Sequence, residues 1–179
     1  MARKGYDGGM RYVELFRHTD NDGDTLTSEG IDAVEEIGHE RLTPPYAFFG
    51  SSGAHRATEM AEILRRAAGQ EDVPVTEVPG LRSSVEDRWR AASSAAGKGA
   101  TVEAMREVDP DLVEKESSLL GSALQGVFDE LPDGGRALVV GHSPTNEAAV
   151  LGLAAAVVGP LGKGEAVLVV EDHGRFHVD

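Results

Sequence analysis

Residues 137–141 (Ala137-Leu138-Val139-Val140-Gly141) form a short, near-continuous apolar run between the Pro132-Asp133-Gly134-Gly135 turn and polar His142. A run of this length without polar alternation reads as a strand buried on both faces. Such a strand belongs inside a sheet that carries helices on both sides, which excludes all-α and simple sandwich architectures. The rest of the chain agrees. Residues 11–16 (RYVELF), 46–50 (YAFFG), 73–78 (VPVTEV) and 166–171 (AVLVVE) read as further strands, and 176–178 as a last edge strand after Gly174.

Between these runs the period changes to that of helices. Thr27 or Ser28 caps a helix to about Arg41, with Ile31, Val34 and Ile37 on one face, and Pro44-Pro45 breaks it. Helices are expected over about 54–68, 111–131 and 145–158. Residues 79–101, rich in Ser, Ala, Gly and charge around the lone Trp89, read as an irregular lid or insertion. The expected fold is one domain over 1–179, a three-layer α/β/α sandwich with a mostly parallel central sheet. The length of 179 residues suits one domain with a substantial core.

Composition narrows the functional classes. Cysteine is absent, which excludes disulfides and thiolate chemistry. The net charge of −14 argues against nucleic acid and anionic membranes as partners. The N-terminal segment is basic, but no apolar run of a signal peptide follows, so a cytoplasmic location is expected. Any site for an anion must therefore be a local basic pocket in an acidic shell. In parallel α/β sheets, ligands bind beyond the carboxyl ends of the strands. There the first strand ends in Arg17-His18, the second in Ser51-Ser52 with Arg56 just beyond, and the central one in Gly141-His142-Ser143. Arginine forks match phosphate oxygens, and a neutral imidazole is a nucleophile toward phosphorus. A second, protonated histidine can stabilise the charge that develops in transfer, and a helix N-terminus near Ser52 can add N–H donors.

The ordered set resembles the histidine phosphatase superfamily, the phosphoglycerate-mutase-like proteins. Arg17-His18-Thr19 stands where that family has Arg-His-Gly, and Leu26-Thr27-Ser28-Glu29-Gly30 matches its Leu-Thr-x-x-Gly. Ser51-Ser52-Gly53-Ala54-His55-Arg56-Ala57 matches Ser-Ser-x-x-x-Arg-Ala, and Val140-Gly141-His142-Ser143 matches Val-Gly-His-Ser. The resemblance implies a phosphoglycerate-mutase-like fold and phosphatase activity through a phosphohistidine on His18. Arg17, Arg56 and His142 would bind the phosphoryl group, with no metal and no organic cofactor. The partner would be a small phosphorylated substrate or a phosphoprotein. The sequence sets no oligomeric state.

Two positions depart from the family pattern. Thr19 replaces Gly, and would narrow the pocket, accompany a different loop or offer a hydroxyl to substrate. Ser83 stands where many members carry the general acid, so Glu86 is the candidate acid, with Asp87 beside it or no acid at all as alternatives.

Competing readings are a serine hydrolase and a phosphate-binding relative without turnover. The first would place Ser143 at a nucleophile elbow, followed by Asp172 and His173 or His177. Its elbow has Thr145 in place of the second Gly, and it leaves Arg17, His18 and Arg56 without roles. A calcium loop over Asp20–Asp24 fails in either register. The Gly159–Gly164 segment lacks the phosphate-loop spacing and reads as a helix end and turn.

Overall fold

The computed structural model describes residues 9–179; the N-terminal segment on which the leader-peptide reading rests lies outside them. Six strands make one sheet in the order β5 (Val75–Glu77), β4 (Phe48–Ser51), β6 (Arg136–Gly141), β1 (Arg11–Arg17), β7 (Ala166–Asp172), β8 (Arg175–Val178). The first four are mutually parallel, while β7 and β8 are antiparallel additions at one edge. A two-stranded hairpin, β2 (Asn21–Asp22) and β3 (Thr25–Leu26), stands apart.

The sheet separates two apolar layers. Leu138 and Val140 on β6, Phe16 on β1 and Phe49 on β4 pack against α1 (Ser28–Glu40) and α2 (His55–Ala67) through Val34, Ile37, Met60 and Leu64. The alternate residues Ala137, Val139, Val13 and Leu15 face the other way. They meet α5 (Pro110–Asp129) and α6 (Thr145–Ala154), with α3 (Glu86–Ala96) and α4 (Val102–Val108) beyond. This is the three-layer sandwich expected from the sequence, and β6 is buried from Ala137 to Gly141.

Segment 79–101 differs from the expectation of an irregular lid. It contains a short 3-10 turn at Pro79–Leu81 and the helix α3. Trp89 is 2% exposed in the core and anchors α3, which explains why a polar, Ser-rich segment becomes helical. The buried carboxylate Glu116 of α5 accepts hydrogen bonds from Trp89 Nε1 at 3.2 Å and from Ser83 Oγ. Helix α4 was also not expected; Thr101 caps it by accepting from the Ala104 N–H, and Val102 and Met105 bury its inner face.

Helix α6 ends at Ala154, short of the expected 158, because Ala155 enters the left-handed region at φ 52° and turns the chain toward β7. The α5–α6 contact is close enough to require glycine. A Cβ on Gly121 would lie 2.9 Å from the Gly152 carbonyl carbon, and one on Gly152 would overlap the Ser117 carbonyl oxygen.

Candidate active site

The register of the parallel strands brings the sequence-predicted residues together. Arg17 on β1 pairs with Gly141 on β6, so the segments following both strands leave the sheet side by side. The His18 N–H donates to the Gly141 carbonyl at 3.2 Å, and the His18 and His142 rings meet edge to face with centroids 5.2 Å apart. Arg56, in the first turn of α2, reaches across to both. Its Nε donates to His18 Nε2 at 3.3 Å, and its Nη2 lies 3.4 Å from His142 Nδ1. Arg17, His18, Arg56 and His142 all line one cavity of about 300 Å³.

Hydrogen bonding fixes the tautomers. His18 Nδ1 lies 2.8 Å from the Thr19 carbonyl, which can only accept, so Nδ1 carries the proton and Nε2 presents a lone pair. Arg56 can only donate, so His142 Nδ1 is an acceptor, and Nε2–H donates to Ser52 Oγ at 2.7 Å. Burial lowers the His18 pKa; its bond to the Thr19 carbonyl opposes this, while Arg56, Arg17 and Lys163 lower it further. Burial and then Arg56 push His142 down to about 3. Burial and Arg56 thus favour the neutral form of the His142 ring.

The supporting contacts come from several elements. Asn146, in the first turn of α6, accepts the His142 N–H at 3.2 Å and donates to the Phe16 carbonyl at 3.0 Å, tying the β6 exit to β1. A Cβ on Gly141 would lie 2.3 Å from Asn146 Oδ1, so this strand end requires glycine. The turn before β7 braces the Arg17-His18 pair. Arg17 Nη1 donates to the Leu161 carbonyl at 2.7 Å, and the Gly164 N–H donates to the Arg17 carbonyl at 3.1 Å. Asp24, at the tip of the β2–β3 hairpin, accepts from Arg56 Nη1 at 2.9 Å and from the Arg56 N–H at 3.3 Å. One N–H at the start of α2 is thus engaged by a carboxylate rather than directed at the pocket.

Thr19 does not offer its hydroxyl to the cavity. It is 2% exposed, and its Oγ1 donates to the Gly30 carbonyl at 2.8 Å. Gly30 itself is required because a Cβ there would overlap the Asp20 carbonyl oxygen. The Leu26–Gly30 motif therefore docks the start of α1 against the loop after His18.

The far wall of the cavity is one face of α3. Glu86, Trp89, Arg90, Ser93 and Ser94 recur at helical spacing and line it together with Ser83. Glu86 stands at the mouth, half-exposed, with Arg82 Nε 3.5 Å from its carboxylate. Asp87 is almost fully exposed, pairs with Arg90 and does not line this cavity.

The geometry removes the serine-hydrolase reading. Ser143 donates to Glu147 Oε2 at 2.5 Å rather than to a histidine. Asp172 and His173 pair with each other at the opposite end of the sheet, where β7 meets the start of β1. Six strand residues at ~3.3 Å each put about 20 Å between that pair and Ser143. The acids of the 20–24 loop are also dispersed: Asp20 accepts from Lys163 at 2.7 Å and Thr27 at 2.8 Å, while Asp24 serves Arg56. Among the described residues no group of three or more His, Asp or Glu side chains is arranged to hold a metal ion. None of their helices is long and apolar enough to cross a membrane.

Asn146, Glu147 and Glu116 were not singled out from the sequence as partners of the site, and Asp24 was read only as part of the acidic 20–24 loop. Asn146 and Glu147 follow the His142-Ser143 motif within four residues, at the start of a helix, and that adjacency was the available signal. Asp24 and Glu116 approach only through tertiary structure.

No protein-family model matches the chain, and no curated protein matches it in sequence. Solved structures do match its fold. A phosphoglycerate mutase from Bacillus anthracis superposes with a TM-score of 0.75 at 18% identity, covering 98% of this chain and 94% of that one. A phosphoserine phosphatase from Entamoeba histolytica, solved with 3-phosphoglyceric acid, gives 0.68 at 16% identity, with 94% of each chain covered. YhfR of Bacillus stearothermophilus gives 0.66 at 19% identity, covering 94% and 95%. The chain has the fold of these phosphoglycerate-mutase-like structures. At these identities the likeness is one of fold, and the activity rests on the site.

Proposed function

We propose that this chain is a phosphatase of small phosphomonoesters that works through a phosphohistidine on His18, with arginine cations supplying the charge. The observation that carries the reading is the unprotonated Nε2 of His18, which accepts from Arg56 Nε and stands edge-on to His142 in one basic cavity. Burial and three neighbouring cations lower the His18 pKa, which keeps the ring a nucleophile at neutral pH.

In the first step Nε2 attacks phosphorus, and the bond from phosphorus to the leaving oxygen breaks. The electron pair stays on that oxygen, which takes a proton from Glu86 at the mouth. Water then attacks phosphorus; the P–N bond breaks, its pair returns to Nε2, and Glu86 recovers a proton from the water. Arg17 and Arg56 hold the equatorial oxygens. An incoming dianion raises the proton affinity of His142, converting the neutral ring into a donor as charge builds.

The cavity volume favours a small substrate over a phosphoprotein, because α3 and buried Trp89 wall the side opposite His18. Its lining of Glu86, Arg90, Ser93 and Ser94 suits a leaving group with polar or charged substituents.

The test is labelling with a radioactive small phosphomonoester. Wild type is expected to acquire an acid-labile, base-stable phosphate, while His18→Ala acquires none and shows no turnover. A His18→Ala protein with full activity, or a wild type without turnover on a broad phosphomonoester panel, would overturn the proposal.

A further inference from the structure

Glu147 stands on α6, one turn beyond Ser143, and is 3% exposed. Its Oε2 accepts the Ser143 hydroxyl at 2.5 Å, and its Oε1 makes no hydrogen bond. Ser143 lines the cavity directly after His142. Behind the wall, Arg17 is the charged group that acts most strongly on Glu147, and Arg17 Nε is itself buried without a partner. The backbone of Leu161 approaches from the turn before β7, and no charge from α5 or β8 acts as strongly.

This arrangement is unfavourable for an anion as it stands. The one proton of the Ser143 hydroxyl points at the carboxylate, so the cavity sees only oxygen lone pairs. With the carboxyl ionised, a buried negative charge also lies behind the arginine that an anion would use. Both features reverse when the carboxyl is protonated, because its O–H can then donate to Ser143 Oγ and release the serine proton.

We propose that binding of a phosphate-like dianion is coupled to protonation of Glu147, which turns the Ser143 hydroxyl from the carboxyl group to the bound anion. One proton enters from solvent for each anion bound, and no bond between heavy atoms changes. Glu147 is a positioning residue here, and Ser143 is the group that touches the ligand. The inference rests on the phosphoryl-pocket reading above. Burial already raises the proton affinity of this carboxyl, although Ser143, the backbone of Glu147 and Leu161, and Arg17 oppose it. A second negative charge nearby raises it further.

Tungstate is a suitable probe, because it is a dianion that does not titrate near neutral pH. Infrared difference spectra of the intact protein with and without tungstate are expected to show a new protonated-carboxyl band, absent in Glu147→Gln. Protonation of His142 or His18 cannot produce that band. Glu147→Gln keeps a donor toward Ser143 Oγ, so its tungstate affinity is expected to stay within about threefold of wild type. Ser143→Ala loses a hydrogen bond to a charged ligand and is expected to bind about tenfold more weakly. The inference is overturned if wild type gives no carboxyl band, if Glu147→Gln weakens binding as much as Ser143→Ala, or if Ser143→Ala binds unchanged. A wild type that does not bind tungstate overturns the phosphoryl-pocket reading and this inference with it.

Discussion

Asp24 and Arg56 form a two-point contact across the rim of the cavity: Asp24 Oδ1 accepts from Arg56 Nη1 at 2.9 Å and from its backbone N–H at 3.3 Å. The remaining guanidinium nitrogens are thereby aimed at the two histidines. The pair is half exposed on the acid side, so it contributes little to stability. Its effect is positional.

Asp24→Asn should therefore leave the melting temperature within about 2 °C of wild type, since an exposed pair is worth under ~1 kcal/mol. Turnover should fall about tenfold, because Arg56 loses the contact that orients it over His18 Nε2. Steady-state kinetics beside a thermal melt checks this. A large stability loss with kcat/KM unchanged would show that the contact serves the fold instead.

The two pocket histidines make stability depend on pH in a definite direction. The His142 pKa is about 3 in the folded chain, against 6.5 for an ordinary imidazole, and that of His18 is also lowered. Below about pH 6.5 the unfolded chain binds protons that the folded chain refuses. Stability is then lost as pH falls toward 3, and is fully present above 6.5. His142→Gln should flatten part of that decline. Denaturant unfolding at pH 7.0, 6.0, 5.0 and 4.5 would show it, and equal slopes for variant and wild type would count against a buried neutral His142.

These assignments mark what was legible in the sequence. The apolar run 137–141 announced a central strand, and the polar residues that end three parallel strands announced the cavity, because sheet register alone brings those ends together. The interior of 79–101 was not legible. Its helix packs through Trp89 and Ala92 with Val85 and Ala96 beside them, and a stripe of one large residue and small alanines in a Ser-rich stretch is too weak to reveal it. The acids of the 20–24 loop could be read as solvating the loop or tuning the pocket rim, and only the contact with Arg56, 32 residues away, decides for the rim at Asp24. For Thr19 the sequence left several roles open, and the structure removes one of them: its hydroxyl donates to a buried carbonyl on α1 and does not face a ligand.

The Trp89–Glu116–Ser83 contact should behave as the hinge pin of the wall opposite His18. Glu116→Ala strands two buried donors, at about 1–3 kcal/mol each. For a chain of this size that corresponds to a melting temperature lower by roughly 4 °C or more. Trp89 is the single tryptophan, so its fluorescence reports on α3 directly. The variant should show a red-shifted emission and a raised KM. An unshifted spectrum would mean that apolar packing alone holds the helix.

Glu86 is tested by the leaving group rather than by loss of activity alone. Its carboxylate stands at the mouth beside Arg82, on the face of α3 that lines the cavity, while neighbouring Asp87 faces solvent. A general acid matters in proportion to the basicity of the oxygen it protonates. Glu86→Gln should therefore lower kcat for alkyl phosphates by about a hundredfold and leave p-nitrophenyl phosphate nearly unaffected, because nitrophenolate departs without a proton. Asp87→Asn, one residue on, should change neither substrate. If both substrates slow equally in Glu86→Gln, the carboxylate acts in binding and the leaving oxygen takes its proton from water.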